Sequence, residues 1–136
     1  GDRSTHWHYK WKTKGTGSCA SHPSKRHWLM LDTKTRHVFT RMGIWQDQSG
    51  TWPGAFVEKV KLYVSSDASV WGSLFKSSDQ RWKYVGEYTL DLSKDQEIDV
   101  DLAPTAGRYV TLEVSRGGWD ADAGSFSEVY FYGEGE

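Results

Sequence analysis

The stretch Ile98-Asp99-Val100-Asp101-Leu102-Ala103-Pro104-Thr105-Ala106-Gly107-Arg108-Tyr109-Val110-Thr111-Leu112-Glu113-Val114 decides the fold class. Ile98, Val100 and Leu102 alternate with Asp99 and Asp101, and Val110, Leu112 and Val114 alternate with Thr111 and Glu113. A period of two sends one set of side chains to a core and the other to water, so each half reads as a half-buried strand. Ala103 to Gly107, with its Pro and Gly, reads as the loop between them.

The same period continues outward. Val60, Leu62 and Val64 alternate with Lys59, Lys61 and Tyr63; Val38, Thr40, Met42 and Ile44 alternate with Phe39, Arg41, Gly43 and Trp45; Val129 and Phe131 alternate with Tyr130 and Tyr132. Trp82 to Leu90 puts Trp82, Tyr84, Tyr88 and Leu90 on one side, and the apolar run Trp28-Leu29-Met30-Leu31 reads as a strand buried on both faces. Gly15 to Ser24, Gln46 to Gly54, Ser65 to Gln80 and Gly117 to Ser125 are rich in Gly, Ser, Asp and Pro and read as long loops. Seven short strands without helical periodicity predict an all-β fold, an antiparallel β-sandwich or jelly roll.

At 136 residues the chain has the size of one domain, 1–136. Its 17 Lys+Arg against 18 Asp+Glu leave no basic field, which removes nucleic acid and anionic membranes from the expected partners. No apolar run approaches the length of a membrane span, so no membrane insertion is expected. Cys19 is the sole cysteine and forms no internal disulfide. Aromatic residues reach 15%, including 8 Trp, more than a small core readily hides, so some indoles are expected at the surface.

Six motifs in order carry a resemblance: Asp2-Arg3-Ser4-Thr5-His6-Trp7-His8, His27-Trp28-Leu29-Met30-Leu31-Asp32, Val60-Lys61-Leu62-Tyr63-Val64-Ser65-Ser66-Asp67, Arg81-Trp82-Lys83-Tyr84-Val85-Gly86, Gly107-Arg108-Tyr109-Val110-Thr111-Leu112, and Phe126-Ser127-Glu128-Val129-Tyr130-Phe131-Tyr132-Gly133. Together the chain resembles the discoidin, or coagulation factor V/VIII type C, family, and within it the bacterial carbohydrate-binding modules. The resemblance implies a galactose-binding-like jelly roll with ligand loops at one end. It also implies an extracellular or bacterial cell-surface location and a monomeric module of a multidomain protein. The family's opening motif starts one residue before Gly1, so the domain is expected to be N-terminally incomplete and to lack its first strand.

A structural calcium ion is a further implication. Asp2 and Thr5 of the first loop and Glu128 of the last strand match the family's ligand positions, and calcium asks for six to eight oxygens. The other reading of the same residues is a solvated turn with Glu128 bonded to nearby backbone.

For a sugar, an aromatic plane is needed under the C–H face and fixed polar groups at the hydroxyl rim. Trp45-Gln46-Asp47-Gln48-Ser49-Gly50-Thr51-Trp52 and Gly118-Trp119-Asp120-Ala121-Asp122 each combine indoles with polar side chains. Both correspond to ligand loops in the resembling family, as does the loop holding His8. Candidate stacking surfaces are therefore Trp119, Trp45 and Trp52, with Trp119 foremost, and candidate edge groups are His8, Gln46, Asp47 and Asp120. Trp45 and Trp52 read equally well as a hydrophobic cap on the end of the sandwich. Trp7, Trp28 and Trp82 are expected in the core and Trp71 as a pin for its loop, while Trp11 is assigned to neither. The arginine that grips an axial hydroxyl in many galactose binders is replaced by Ile44-Trp45-Gln46-Asp47, so the sugar is not assigned.

No nucleophile elbow, phosphate loop or His-Glu-x-x-His motif occurs, and the five His are scattered. Asp47, Asp120 and Asp122 could chemically serve a glycosidase, but a shallow platform does not exclude water, so an enzyme is not expected. The alternative to a carbohydrate-binding module is a protein-interaction or adhesion module using the same aromatic loops.

Overall fold

Among the described residues, six strands form one antiparallel sheet in the order β1-β6-β2-β5-β3-β4, where β1 is Trp7–Lys10, β2 His27–Gln46, β3 Val57–Ser65, β4 Lys83–Thr89, β5 Glu97–Gly117 and β6 Ala123–Gly135. The structure, a computed structural model, describes residues 7–10, 27–46, 57–90, 97–117 and 123–135, with side chains described for 28–44, 57–90, 102–114 and 129–133. Among the described residues the one helical element is a 3₁₀ turn, Ala68–Val70.

Each of the two central strands serves both halves of the molecule. The first half of β2 pairs with Tyr109–Val114 of β5, and its second half pairs with Glu97–Gly107 of β5 and with β6. At the bend the register shifts between Asp32 and His37 of β2, against Tyr109 and Gly107 of β5, and shifts the other way between Phe39 and Arg41. Unequal path lengths of this kind turn a paired ribbon through a corner. Ala103 to Gly107, expected as a loop, runs through these shifts, with Ala103 and Pro104 on the longer path between Asp101 and Thr105, and is strand throughout.

The corner folds the sheet over a core of Phe39, Met42 and Ile44 from the second half of β2, Val60, Leu62 and Val64 from β3, and Leu102, Val110, Leu112 and Val114 from β5. Val129 and Phe131 of β6 close it from the other side. Except for Phe39, which alternation set on the opposite face from Met42 and Ile44 and which the register shift between Phe39 and Arg41 brings into the core, these are the residues whose alternation marked the strands, and the result is an antiparallel β-sandwich. Gly107 is required where the corner passes the end of β3, because a Cβ there would collide with the Val64 side chain and stand 3.0 Å from the Ser65 carbonyl oxygen.

Two details differ from expectation. Trp28 to Leu31 are half-buried rather than enclosed, because this half of β2 pairs with β5 and not with β6 and so runs along an edge. Trp82 and Tyr84 do not share a face with Tyr88 and Leu90. The register shift between Leu62 and Tyr63 inserts Val85 into β4 as an extra residue, and the faces exchange there. Tyr88 and Leu90 therefore join the inner core, while Trp82 packs outside and Tyr84 is 52% exposed.

The outer face of β3 and β5 carries a second, aromatic layer. Residues 66–82 fold back over it, bringing Val70, Phe75 and Trp82 onto Tyr63 and Tyr109. Phe75 is the hub, with ring centroids 4.9 Å from Tyr63, 5.6 Å from Trp82 and 6.2 Å from Trp28. Beneath this lid Thr111 is fully buried and its Oγ1 has no hydrogen-bond partner among the described residues. A buried hydroxyl without a partner loses its hydration uncompensated. Thr111→Val keeps the branched shape and removes that group, so it should raise the unfolding free energy by about 1 kcal/mol in urea denaturation; an unchanged or lower midpoint would contradict this.

Candidate functional site

The strand directions gather the candidate residues at one end. Trp45 lies opposite Glu97 of β5 on one side and Glu128 of β6 on the other, and Gln46 lies opposite Phe126. On the far side of β6, His8 lies opposite Ser125 and Lys10 opposite Ala123. His8 and Gln46 thus flank consecutive residues of β6, and Trp45 and Glu128 follow one register step further in. In the other half of the sandwich Val57 lies opposite Gly117.

The two connections nominated as ligand loops, 47–56 and 118–122, therefore leave and re-enter at this same end, between Gln46 and Val57 and between Gly117 and Ala123. Trp119, Asp120, Asp47, Trp52, Asp2 and Thr5 lie outside the described residues. For His8, Trp45, Gln46 and Glu128 the backbone position is described and the side chain is not. Among the described residues no group of three His, Cys, Asp or Glu stands close enough to hold a metal. Nor does any helix among them have the length and apolarity to cross a membrane.

The opposite end is built for rigidity. Asp32 accepts hydrogen bonds from Arg108 Nε at 2.7 Å and from the Arg108 terminal nitrogen at 2.8 Å, a fork that fixes both side chains. Asp32 Oδ1 also accepts from the Lys34 amide at 2.8 Å, and Lys34 takes a positive φ of 72° to close the turn. Thr33 Oγ1 donates to the Arg108 carbonyl oxygen at 2.7 Å, so the turn is tied to β5 twice. In the lid, Arg81 donates from Nε and a terminal nitrogen to Asp79, at 3.1 and 2.6 Å.

These bonds move the acids. The Arg108 hydrogen bonds hold the Asp32 carboxyl well below the usual carboxylate range, against a smaller opposing effect of burial. Arg81 does the same to Asp79, pushing it down to about 2. Asp67 is lowered by its bonds from Ser69. Asp67 also feels the Asp79 charge and bonds the Ser69 hydroxyl, but the largest cause of each shift is a hydrogen bond that fixes a turn or ties β2 to β5, so the shifts report scaffold.

Sequence reasoning passed over one exposed aromatic position. Trp71, read as a pin, is 50% exposed, with its indole 6.0 Å from the Tyr109 ring and inclined at 30°. Leu74 beside it is 74% exposed. The Trp71-Gly72 pair was the available sign, since Gly72 takes a positive φ of 83° and forms a turn that presents the indole outward.

Comparison with known proteins gives a consistent family picture. The model for the F5/8 type C domain matches residues 1–129. The C-terminal domain of a chitobiase from Bacteroides fragilis is similar in structure, with a TM-score of 0.70 at 16% identity over 100% of this chain and 77% of that one. CBM32-3 from a family 31 glycoside hydrolase of Clostridium perfringens gives 0.71 at 13% identity over 98% and 78%. A family 32 CBM of C. perfringens NanJ, in complex with galactose, gives 0.65 at 15% over 96% and 78%. No curated protein matches the sequence.

Both depressed carboxylates give stability that is whole above their ordinary value of 3.8 and is lost as pH falls through the folded values. For Asp79 the loss runs from about pH 4 to about pH 2, and for Asp32 it continues lower. In acid unfolding followed by circular dichroism, Asp32→Asn should flatten the low-pH limb relative to the parent; an unaltered slope would contradict the assignment.

Proposed function

Because the chain belongs to the F5/8 type C domain family, we propose that it is a non-catalytic carbohydrate-binding module of a larger secreted or cell-surface bacterial protein, taking a glycan at the strand end that carries Trp45, Gln46 and His8. The observation that carries this reading is the convergence of these three positions with the ends of the 47–56 and 118–122 connections. Trp119 is the principal stacking plane, with Trp45 and Trp52 beside it. His8, Gln46, Asp47 and Asp120 bond the hydroxyl rim. Structural relatives that are CBMs, one of them solved with galactose, support the ligand class without naming this chain's own sugar.

Such a site works by complementarity and not by reaction. An indole covers the apolar face of a pyranose, and polar groups fixed by strand ends replace the water lost from its hydroxyls. An open platform recovers little of the cost of immobilising the sugar, so single-site affinity is weak. Linkage to other modules in one chain raises it through effective concentration. Asp2, Thr5 and Glu128 form, in this reading, a structural calcium site that ties the first loop to β6 and holds the binding end in register.

On a glycan array followed by isothermal titration, the protein should bind at least one glycan, and Trp119→Ala should weaken that binding about tenfold or more. A folded protein that binds no glycan, or a Trp119→Ala variant that binds as the parent does, would overturn the reading. Calcium should raise the melting temperature and a chelator should reverse the rise; a melting temperature indifferent to both would remove the ion from the scheme.

A further inference from the structure

The Trp71 region forms a second surface feature, on the outer face of the sheet under the lid and not at the strand end just described. Residues 71–74 of the lid and Trp28, Leu29 and Met30 of β2 enclose a groove of about 450 Å³. Trp71 stands over the buried Tyr109 ring, which supports its plane from below. Trp28 is held in turn by Phe75. The groove therefore has aromatic groups whose orientations are set by the layer beneath, with a half-exposed indole at its mouth.

Cationic donors stand beyond the groove's own lining, with the Arg108 guanidinium carbon 5.1 Å from the centroid of the Tyr109 ring that also meets Trp71. Two residues beyond Met30 on β2 is Asp32, directly opposite Tyr109, with Arg108 forked onto it and Lys34 Nζ 3.8 Å away. Lys34 is 82% exposed at its side chain and Arg108 40%. Both keep donors turned to solvent, and the carboxylate that anchors them is itself nearly covered. An indole plane followed by fixed cationic donors is the arrangement that an oxygen-rimmed ring with one apolar face requires.

Size selects among occupants. A stable protein interface removes about 800 Å² from each partner. A half-exposed Trp and one exposed Leu offer a small part of that, since a whole aromatic side chain presents about 150–250 Å². Three consecutive residues of β2 line the groove floor, about 7–10 Å at strand rise, the length of one or two sugar rings.

We propose that the Trp71 groove is a second glycan subsite, which seats a pyranose on the Trp71 indole with its oxygens toward Lys34 and Arg108. The ligand class rests on the carbohydrate-binding reading above, whereas the location rests on the groove. With one subsite on the outer face and another at the strand end, the domain grips two sugars of one branched or folded chain, or two neighbouring chains on a surface.

Fluorine NMR of the protein labelled with 5-fluorotryptophan separates the two ideas, because each of the 8 Trp gives its own line. The Trp71 line is identified by its loss in Trp71→Phe. The probes are galactose, N-acetylgalactosamine, N-acetylglucosamine oligomers and phosphatidylcholine vesicles. The expected result is a saturable shift of the Trp71 line with at least one sugar, with a dissociation constant that Trp119→Ala changes by less than about twofold. If sugar moves other indoles but not Trp71, the subsite falls and the carbohydrate-binding reading stands. If no sugar moves any line, both fall. A Trp71 line that answers only to vesicles, or whose response to sugar disappears in Trp119→Ala, also overturns the subsite.

Discussion

The fork between Asp32 and Arg108 is the contact on which the architecture turns. β2 and β5 are each long enough to run through both halves of the sandwich, and a straight ribbon of that length would leave its apolar rows facing water. Bending it requires an irregular turn, and an irregular turn without a lock is free to slide in register. A bidentate ion pair whose carboxylate is 7% exposed, with the Thr33 hydroxyl on the Arg108 carbonyl, sets that register at one point. Everything at the far end of the strands inherits it. The placing of His8 and Gln46 on either side of β6, with Trp45 opposite its Glu128, follows from where the ribbon was pinned.

The molecule is divided between that pinned end and the end where the nominated loops emerge. The pinned end has the Asp32–Lys34 turn, paired charges and the 66–82 lid. The other end has the strand termini Gln46, Val57, Gly117 and Ala123 and long intervening segments. A rigid frame with connections emerging on one side lets the loops be shaped without disturbing the core. The aromatic layer under the lid adds a second function to the frame, since the same Phe75 and Tyr109 that hold the lid down also set the attitude of Trp28 and Trp71.

Legibility in the sequence followed the reach of the signal. Val60 to Val64, Val110 to Val114 and Met42 to Ile44 were readable because each strand has one wet face, and alternation reports that directly. The continuity of β5 through Pro104 was not, since a bent strand uses the same residue types as a loop. The exchange of faces at Val85 was equally hidden, because a bulge is set by the partner's register and not by the residue that bulges. Trp7 to Lys10 form a strand that Trp-His-Tyr-Lys gives little sign of. At the site, the nearness of Trp45 to Glu128 depends on pairing between distant segments, which motif order could suggest and periodicity could not. How far Trp71 is exposed was hidden for a related reason, although its ring does meet Tyr109 as a pin would. A tryptophan next to glycine in a loop looks alike whether its ring is covered or left half open, and the lid decides which.

The pairing of β2 with β5 bears on how the chain reaches this state. His27 meets Val114 and Trp45 meets Glu97, so the central ribbon joins segments separated by the whole of β3, the lid and β4. Contacts of such long sequence separation are slow to form, because loop closure must precede any reward from burial. During synthesis β2 waits, with Trp28, Met30, Phe39 and Ile44 unpaired, until the last third of the domain has left the ribosome. Among the described residues, the β3–β4 hairpin is the large unit that can assemble before then. A nascent domain of this design spends its early life as an adhesive strand in search of its own distant partner.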